Sequence, residues 1–459
     1  MIINNRLQKY ILCFLIILFS IICVYNISSS PFKDWDESRH IVNALQMMDS
    51  GNFIVNWWGS SPDMWNLKPP VSFWTIILFS ATLGKSLLTL RMASIVSGVL
   101  LVSICSYLAA RRYGYVSAII FMLLVLSCRQ MMMEHGFRTA DPDSVYLLFS
   151  IVSVIYLSMG YSVKNISLAA LLISLAFLTK SWHALSFGFA FITAYTYMLR
   201  YNGITTKLVL IPLTCFFLPI IMWLSIRYQY DGFVFIKKMI DYDLLHRSSS
   251  QIEGHRSNAW FYINALFSNY LSVMIAFISS LTISLLRNGF KKTFSYDIVI
   301  LIVTIVTLIT FFTLAETRLS WYGYPHTLLL CFTSAILFSK IKKPWVLLLL
   351  VLLPMSLFQI KKTINKASDN FAPDYYKQLS LIKSDNNNDI NIHIPNDTSQ
   401  SERAAIMVYG GFSQRKIKYN SSDRNYYLFS RNNSKVDNVS PACEILSSGE
   451  FISIFKCIR

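Results

Sequence analysis

Charged residues are scarce in this sequence of 459 residues. They make up 14% of the chain, against roughly 25% in soluble globular domains. This scarcity excludes an ordinary soluble enzyme and a disordered chain. Only eight cysteines are present, too few for a disulfide-framework domain of this length. Hydrophobic residues reach 54%, in continuous runs of about 15–25 residues, as spanning helices require. Barrel strands would instead alternate apolar and polar residues.

Acidic residues are scarcer than basic residues. The 24 Asp and Glu residues face 41 Lys and Arg residues, which gives a formal net charge of +17. A basic excess can indicate nucleic-acid binding, but no basic tract here is interleaved with aromatics as single-stranded nucleic acid requires. We therefore expect no nucleic-acid partner. The excess fits basic cytoplasmic loops and a few cations that face an anionic lipid.

The apolar runs predict an all-α polytopic membrane protein with about eleven transmembrane helices. Residues 10–27 also fit a signal peptide, but no A-x-A cleavage pattern follows them. Residues 70–84 are too short to span comfortably and are interpreted as a re-entrant or interfacial helix. This choice places every basic loop in the cytoplasm, whereas a true span would put Arg111 and Arg112 outside. The predicted spans are 10–27, 87–110, 115–133, 144–161, 166–178, 184–199, 208–225, 261–286, 298–313, 322–339 and 345–358.

Residues 361–459 differ from the transmembrane domain predicted over residues 1–360. They are polar and Asn/Ser-rich and contain no spanning run. That composition also fits disorder, but the aliphatic and aromatic residues among them favour a packed core. We predict a small extracytoplasmic α/β domain. Cys443 and Cys457 lie within it, and an oxidising compartment would permit a bridge between them.

Ionisable residues collect on the side predicted to lie outside. Such clusters in membrane proteins are usually functional. Carboxylates and cations on one side of an apolar slab can hold a lipid phosphate whose tail lies in the bilayer. A transporter would also place charges there. The motifs concerned are Asp34-Trp35-Asp36-Glu37-Ser38-Arg39-His40, Lys68-Pro69-Pro70, Arg138-Thr139-Ala140-Asp141-Pro142-Asp143, the loop after residue 225, and Thr317-Arg318-Leu319-Ser320-Trp321-Tyr322.

The order and spacing of these motifs resemble the GT-C glycosyltransferases. The likeness is closest to bacterial relatives of the dolichyl-phosphate-mannose protein mannosyltransferases and to the aminoarabinose transferases that modify lipid A. It covers roughly residues 10–330 and includes Ala176-Phe177-Leu178-Thr179-Lys180. The resemblance implies transfer of a sugar, with inversion, from a polyprenyl phosphate to lipid A, a glycan or a protein. It also implies a bacterial inner-membrane protein with a cytoplasmic N-terminus and a periplasmic C-terminal domain.

The resemblance assigns roles to individual residues. Asp36 is the candidate base for the acceptor hydroxyl, and Asp143 is the second candidate catalytic acid, with Asp141 as the alternative. The developing charge on the lipid phosphate requires fixed cations. The candidates for this role are Arg39, Lys68, Arg247 and Arg318. Further candidate substrate contacts are Glu37, Arg138, Asp141, His255 and Tyr322.

A metal ion is not expected. Some relatives carry an acidic residue just before Lys-Pro-Pro that can hold a divalent cation, and Leu67 occupies that position here. Asp36, Asp143 and His255 are the residues that would form a cation site, but their spacing does not match the usual ligand patterns.

Two other functions remain as alternatives. An O-antigen ligase or polymerase also uses lipid-linked glycans, but would place its main arginines in one long, late outer loop. A lipid or sugar transporter would carry mid-span charges and repeated halves with broken helices. The densest motifs here lie in the first loop and the span centres are nearly free of charge. Both observations favour the transferase.

Overall fold

The chain forms two compact units. The computed structural model describes residues 4–202, 206–250, 258–341, 345–369, 371–385, 390–418, 425–431, 443–448 and 452–458. Unit 1 comprises Met1–Tyr25, Leu67–Ser72 and Ala93–Lys366, and unit 2 comprises Asn26–Asn66, Phe73–Met92 and Ala367–Arg459. The predicted boundary at residue 360 lies near the break at Lys366. The C-terminal residues, however, share their unit with the first loop and do not form a unit alone.

Nineteen α-helices and seven strands are present in the described residues. The helices are α1 (Asn5–Val24), α2 (Asp36–Ser50), α3 (Val71–Leu83), α4 (Leu87–Tyr113), α5 (Tyr115–Leu126), α6 (Arg129–Met133), α7 (Asp143–Met159), α8 (Val163–Lys180), α9 (Gly188–Asn202), α10 (Thr206–Asp231), α11 (Val234–Lys238), α12 (Arg247–Ser249), α13 (Phe261–Asn269), α14 (Leu271–Thr293), α15 (Tyr296–Leu314), α16 (Tyr324–Ser339), α17 (Trp345–Ser368), α18 (Tyr375–Asp385) and α19 (Gln400–Val408). The strands are β1 (Trp57–Trp58), β2 (Ser61–Pro62), β3 (Asn391–His393), β4 (Ile417–Lys418), β5 (Asn425–Arg431), β6 (Cys443–Ser448) and β7 (Ile452–Ile458).

Six helical segments in the described part of the chain are long and apolar enough to cross a membrane. Three further apolar helices, α3, α5 and α7, are shorter. The count of eleven spans therefore stays a prediction, although helices occupy nearly all of the predicted runs. The six segments are Asn5–Ser29, Leu87–Tyr113, Val163–Tyr201, Thr206–Asp231, Leu271–Thr293 and Tyr296–Leu314.

In unit 1, an arginine from a later loop holds the end of the first helix. The last carbonyl groups of a helix have no partner within it. The Arg138 guanidinium donates to the carbonyls of Ile22, Cys23 (3.2 Å) and Tyr25 (2.7 Å). A cation at a helix C-terminus also interacts favourably with the helix dipole. Arg138 thus fixes where α1 ends.

In unit 2, a second buried arginine organises the first loop. Arg91 is 0% exposed, and its Nε and Nη2 bind the two carboxylate oxygens of Glu37 at 2.6 and 2.8 Å. Its remaining donors reach the carbonyls of Ile27, Ser30 and Pro31 at 2.8–3.1 Å. This guanidinium therefore links three carbonyls of the loop before α2 to the carboxylate of Glu37.

A five-stranded mixed sheet with the order β4-β3-β5-β7-β6 forms the C-terminal part of unit 2. β3 runs parallel to β4 and β5, and the other neighbours are antiparallel. Cys443 on β6 and Cys457 on β7 are directly paired and joined by a disulfide. α19 packs against α2, and the Phe32 amide donates to the Tyr376 hydroxyl at 3.0 Å. The first loop and the C-terminal residues therefore share one core.

The Arg91–Glu37 pair predicts a large loss of stability on mutation. Arg91→Met leaves a buried carboxylate uncompensated, which costs about 3–5 kcal/mol. We expect the thermal unfolding midpoint of the detergent-purified protein to fall by about 3–5 °C, since the entropy of unfolding of a chain of this length is about 1 kcal/mol/K.

Lys85→Met is the matched control for this measurement. Lys85 and Asp49 form an ion pair in the same unit, but their side chains are 32% and 27% exposed, and surface pairs contribute about 0–1 kcal/mol. Equal shifts in the two variants would contradict the organising role of Arg91.

Candidate active site

Asp36 lies at the first position of α2 in unit 2, and its side chain is exposed. A carboxylate at a helix N-terminus is stabilised by the unpaired amides and the helix dipole. The preceding residue, Trp35, adopts φ +63°, which is unusual for a residue with a side chain. Such strained positions concentrate at functional sites. Just before them, the Asp34 carboxylate accepts from the Ser401 amide at 2.9 Å and links the loop to α19.

Arg39 is held by a carboxylate and two indoles of unit 2. Its Nε and Nη2 each lie 2.8 Å from an oxygen of Asp63. The guanidinium carbon lies 4.3 Å from the Trp58 ring centroid and 4.7 Å from that of Trp65. Burial on its own would raise the pKa of Asp63. The hydrogen bonds and charge of Arg39, with bonds from the Trp65 amide and Asn43, outweigh burial and lower that pKa.

Three residues predicted to contact substrate also make contacts within the protein, and their substrate roles stay predictions. Glu37 is fully buried and binds Arg91, and Arg138 is buried against the end of α1. Arg318 donates from Nε and Nη2 to the Thr313 carbonyl at 3.0 and 2.8 Å, which caps the last turn of α15. Sequence motifs give residue type and order, but they do not reveal which carbonyl groups need a donor.

A cluster of charges in unit 1 contains two of the predicted phosphate ligands. Lys68 Nζ lies 2.9 Å from one oxygen of Asp243, and Arg247 Nε lies 3.1 Å from the other. Arg247 Nη1 donates to the Tyr322 hydroxyl at 3.4 Å. Asp243 belongs to a π-helical segment, Met239–His246, a conformation frequent at functional sites. One carboxylate thus holds both cations beside a tyrosine.

A second ion pair lies next to this cluster in the same unit. Lys180, the last residue of α8, pairs with the buried carboxylate of Asp143 at the start of α7. Lys180 Nζ is 5.1 Å from the Tyr322 ring centroid and 5.9 Å from that of Tyr146. The His183 ring lies 4.6 Å from Tyr322. Tyr322 therefore contacts both ion pairs.

Together these residues form a cationic pocket, defined as Lys68, Lys180 and Arg247 with Asp143 and Asp243. Three cations face two carboxylates, so the pocket carries excess positive charge. His183 lies within the field of all three cations. Lysine and arginine are the side chains that bind phosphate oxygens most strongly, arginine with two parallel bonds. The pocket can hold the phosphate of a lipid.

The alternative second acid, Asp141, has a different environment. It is buried, and its carboxylate lies 3.4 Å from His135 Nδ1. The His135 ring stacks on Trp321 with the centroids 3.7 Å apart. His135 has φ +44°, an uncommon backbone conformation for a residue with a side chain. Asp141 therefore lies beside a histidine, whereas Asp143 pairs with the lysine of the cationic pocket.

No group of three or more metal-ligating side chains is present among the described residues. His255, the third member of the predicted cation option with Asp36 and Asp143, lies outside the described residues. The cation site of Asp36, Asp143 and His255 therefore stays a prediction from the sequence.

Two members of the cationic pocket were not predicted from the sequence as site residues. Lys180 belongs to a motif that carries the family resemblance. Its position at the end of a predicted apolar helix could have indicated a site residue. Asp243 precedes Arg247 by four residues, the spacing that brings two side chains to one face of a helix. Neither signal is specific without the fold, because many loop carboxylates have a basic residue nearby.

Sequence comparisons give partial matches. No family model matches the chain. The undecaprenyl phosphate-α-4-amino-4-deoxy-L-arabinose arabinosyl transferase 2 of Pseudomonas fluorescens is 30% identical over 120 residues, which cover 24% of this chain and 20% of the relative. The corresponding transferase of Pseudomonas savastanoi pv. phaseolicola is 28% identical over 195 residues, 39% of this chain and 34% of the relative. The chain thus matches about a third or less of these relatives' length.

Structural comparisons cover almost the whole chain. The crystal structure of ArnT from Cupriavidus metallidurans bound to undecaprenyl phosphate aligns with a TM-score of 0.74 at 11% identity, over 97% of both chains. The oligosaccharyltransferase of Archaeoglobus fulgidus aligns with a TM-score of 0.53 at 9% identity, over 89% of this chain and 64% of that one. The chain has the fold of the ArnT structure, and its matched segments resemble aminoarabinosyl transferases, as the sequence motifs predict.

Proposed function

We propose that this protein is a membrane glycosyltransferase that uses a polyprenyl-phosphate sugar as donor. The observation that carries the proposal is the cationic pocket of unit 1. Its lysines and its arginine converge around Tyr322, and Asp243 holds Lys68 and Arg247 in place before any ligand binds. The ArnT fold, seen in a neighbour bound to undecaprenyl phosphate, supports the same ligand class.

In the proposed reaction the pocket stabilises the leaving group. The acceptor hydroxyl oxygen attacks the anomeric carbon, the bond from that carbon to the phosphate oxygen breaks, and the configuration inverts. The electron pair of the broken bond stays on the polyprenyl phosphate. Fixed cations that face the developing charge lower the barrier without reorganising during the reaction. Lys68, Arg247 and Lys180 supply this charge.

Asp36 accepts the proton that the acceptor loses. Its place in this proposal rests on the Asp36-Glu37-Ser38-Arg39 motif and on its exposed position at the start of α2. Asp143 acts by positioning Lys180 through their ion pair. A divalent cation is not needed for this scheme, since Leu67 stands where some relatives place an acidic ligand.

The proposal includes a location and an acceptor class. The protein lies in a bacterial inner membrane with its N-terminus in the cytoplasm and the C-terminal residues in the periplasm. The basic loops predicted for the cytoplasmic side support this orientation. The acceptor is lipid A, a cell-surface glycan or a protein, and the sugar is a hexose or a pentose.

Removal of a pocket cation tests donor binding. Lys68→Met deletes a charge-assisted hydrogen bond to phosphate, worth about 1.5–3 kcal/mol. We expect the affinity for undecaprenyl phosphate to fall by about 10- to 100-fold, as measured by native mass spectrometry of the detergent-purified protein.

Lys85→Met provides the control, because it removes the same charge from an exposed pair outside the pocket. Its affinity for undecaprenyl phosphate should equal that of the wild type. If Lys68→Met also retained wild-type affinity, the cationic pocket would not be the phosphate site.

Substitution of Asp36 separates catalysis from donor binding. Asp36→Asn keeps the size of the side chain but removes its basicity, and loss of general base catalysis costs about 10²- to 10⁴-fold in rate. We expect transfer of radiolabel from polyprenyl-phosphate sugars to an envelope extract to fall by this factor.

The affinity of Asp36→Asn for undecaprenyl phosphate should stay within about twofold of the wild type, since the pocket is intact. A wild type that binds undecaprenyl phosphate but moves label from no monosaccharide donor would exclude this reaction and favour a ligase that uses lipid-linked glycans. Unchanged transfer by Asp36→Asn would exclude Asp36 as the base.

A further inference from the structure

The end of unit 1 opposite the cationic pocket carries a group of packed tyrosines with basic residues around it. We define the tyrosine cluster as Tyr161, Tyr197, Tyr201 and Tyr296. We propose that this cluster, with the cations beside it, binds the headgroup of an anionic phospholipid. The site takes no part in the proposed sugar transfer, and its binding can be measured without any sugar donor.

Helix α8 separates the tyrosine cluster from the cationic pocket. The helix begins two residues after Tyr161 and ends at Lys180 of the pocket. Its 18 residues extend about 27 Å, close to the hydrocarbon thickness of a bilayer. Tyr201 is the last residue of one candidate span, and Tyr296 is the first residue of another. The cluster therefore lies at the depth of lipid headgroups, on the membrane surface away from the pocket.

The four rings hold one another in place and leave hydroxyl groups available. The Tyr161 ring centroid lies 5.3 Å from that of Tyr201, with the planes 25° apart, and 5.3 Å from that of Tyr296. Tyr197 packs on Tyr296 with the centroids 4.9 Å apart. The Tyr296 hydroxyl donates to the Leu157 carbonyl at 2.8 Å. In the described part of the chain, the other three hydroxyls have no hydrogen-bond partner, so each can donate to a phosphate oxygen.

An arginine is fixed beside the turn that carries Tyr161. Arg112, near the end of α4, donates from Nη1 to the carbonyl of Met159, the last residue of α7. Its side chain is exposed, and its charge acts on the Tyr296 hydroxyl. A guanidinium placed in this way can donate to phosphate oxygens at the edge of the tyrosine cluster.

Two further cations stand next to tyrosines of the cluster. Lys164 follows Tyr161 by three residues, and Arg200 follows Tyr197 by three residues on α9. The second spacing brings two side chains to one face of a helix. Both cations are exposed, and neither has an ion-pair partner within the described ranges. Their charge is therefore available to an anionic ligand.

The nearby carboxylate does not neutralise these cations. Asp297 is buried and accepts hydrogen bonds from the Tyr113 hydroxyl at 2.7 Å and from Ser295. Lys340 Nζ lies 3.5 Å from the same carboxylate. Asp297 is the one acidic residue in the described turns around the cluster. Because it is already paired inside the unit, the surface keeps an excess of positive charge.

Anchoring at the membrane surface is a simpler role for interfacial tyrosines. It would not distinguish between headgroups of different charge. Unpaired cations beside free hydroxyl groups instead match the charge and the acceptor oxygens of a phosphodiester. Basic pockets between transmembrane helices on the cytoplasmic side bind anionic headgroups, and the proposed orientation places this end in the cytoplasmic leaflet. These features favour an anionic phospholipid.

The test measures lipid binding to the full-length protein in detergent by native mass spectrometry. Dioleoyl phosphatidylglycerol is compared with dioleoyl phosphatidylcholine, which has the same acyl chains but no net charge. Lys68→Met serves as the parent, so that binding of a lipid phosphate in the cationic pocket is weakened. Glycerophosphoglycerol, which is the headgroup without acyl chains, is measured in parallel.

We expect the parent to bind phosphatidylglycerol at least about fivefold more tightly than phosphatidylcholine. Arg112→Gln should weaken binding of phosphatidylglycerol by about fivefold, the effect of one cation near an anionic lipid. Tyr161→Phe combined with Tyr201→Phe keeps both rings but removes two donors, and should weaken binding by a similar factor. The matched controls, Arg129→Gln and Tyr230→Phe, change exposed residues elsewhere in unit 1 and should bind like the parent.

Equal affinity of the parent for the two phospholipids would overturn the proposal and leave the tyrosines as interfacial anchors. Wild-type-like binding of phosphatidylglycerol by either the Arg112 variant or the double tyrosine variant would overturn it as well. If glycerophosphoglycerol bound as tightly as the lipid, the phospholipid class would be wrong. None of these outcomes depends on sugar transfer, so the proposed function is tested separately.

Discussion

Buried guanidinium groups are the interactions on which both units depend. A charge removed from water is costly unless hydrogen bonds and an opposite charge replace its hydration. Arg91 meets this requirement with Glu37 and three loop carbonyls, and Arg138 does so with the carbonyls that end α1. In each case the arginine also satisfies backbone groups that would otherwise lack partners. The irregular segments next to the motifs are ordered for this reason.

In the cationic pocket, charged groups are also paired, but the pairing leaves a net positive charge. Asp243 does not neutralise the pocket, because it shares its two oxygens between Lys68 and Arg247 while Lys180 is paired with Asp143. The carboxylates hold the cations at fixed positions and leave an excess of positive charge. In the proposed function, a phosphate would meet donors that are already oriented, and little reorganisation would be needed as charge develops.

The sequence predicts some of these features well. Continuous apolar runs predict helices over most of the chain, and the order of the motifs predicts a GT-C-like fold. The short segment after Lys68-Pro69-Pro70 is indeed the thirteen-residue helix α3. Local patterns are sufficient here because a membrane requires helices to satisfy their own backbone.

Individual side-chain roles are harder to predict. Glu37, Arg138 and Arg318 stand in motifs, but each has a partner that the motif does not indicate. Glu37 pairs with Arg91, Arg138 binds the carbonyls at the end of α1, and Arg318 binds the Thr313 carbonyl. Asp243 and Lys180 are recognised as site residues only in the folded protein. Asp243 is 175 residues from its partner Lys68, and Lys180 is 37 residues from its partner Asp143.

Unit 2 joins the beginning and the end of the described chain, and this has a consequence for biosynthesis. Residues 26–66 emerge from the ribosome early, yet α2 packs on α19, and β7 completes the sheet between β5 and β6. Contacts of such long sequence separation form late and slowly. The transmembrane helices can insert one after another, whereas the loop that carries Asp36 must wait for residues up to 458. A nascent or truncated chain would thus be membrane-embedded but without a completed unit 2, a form that proteases can recognise.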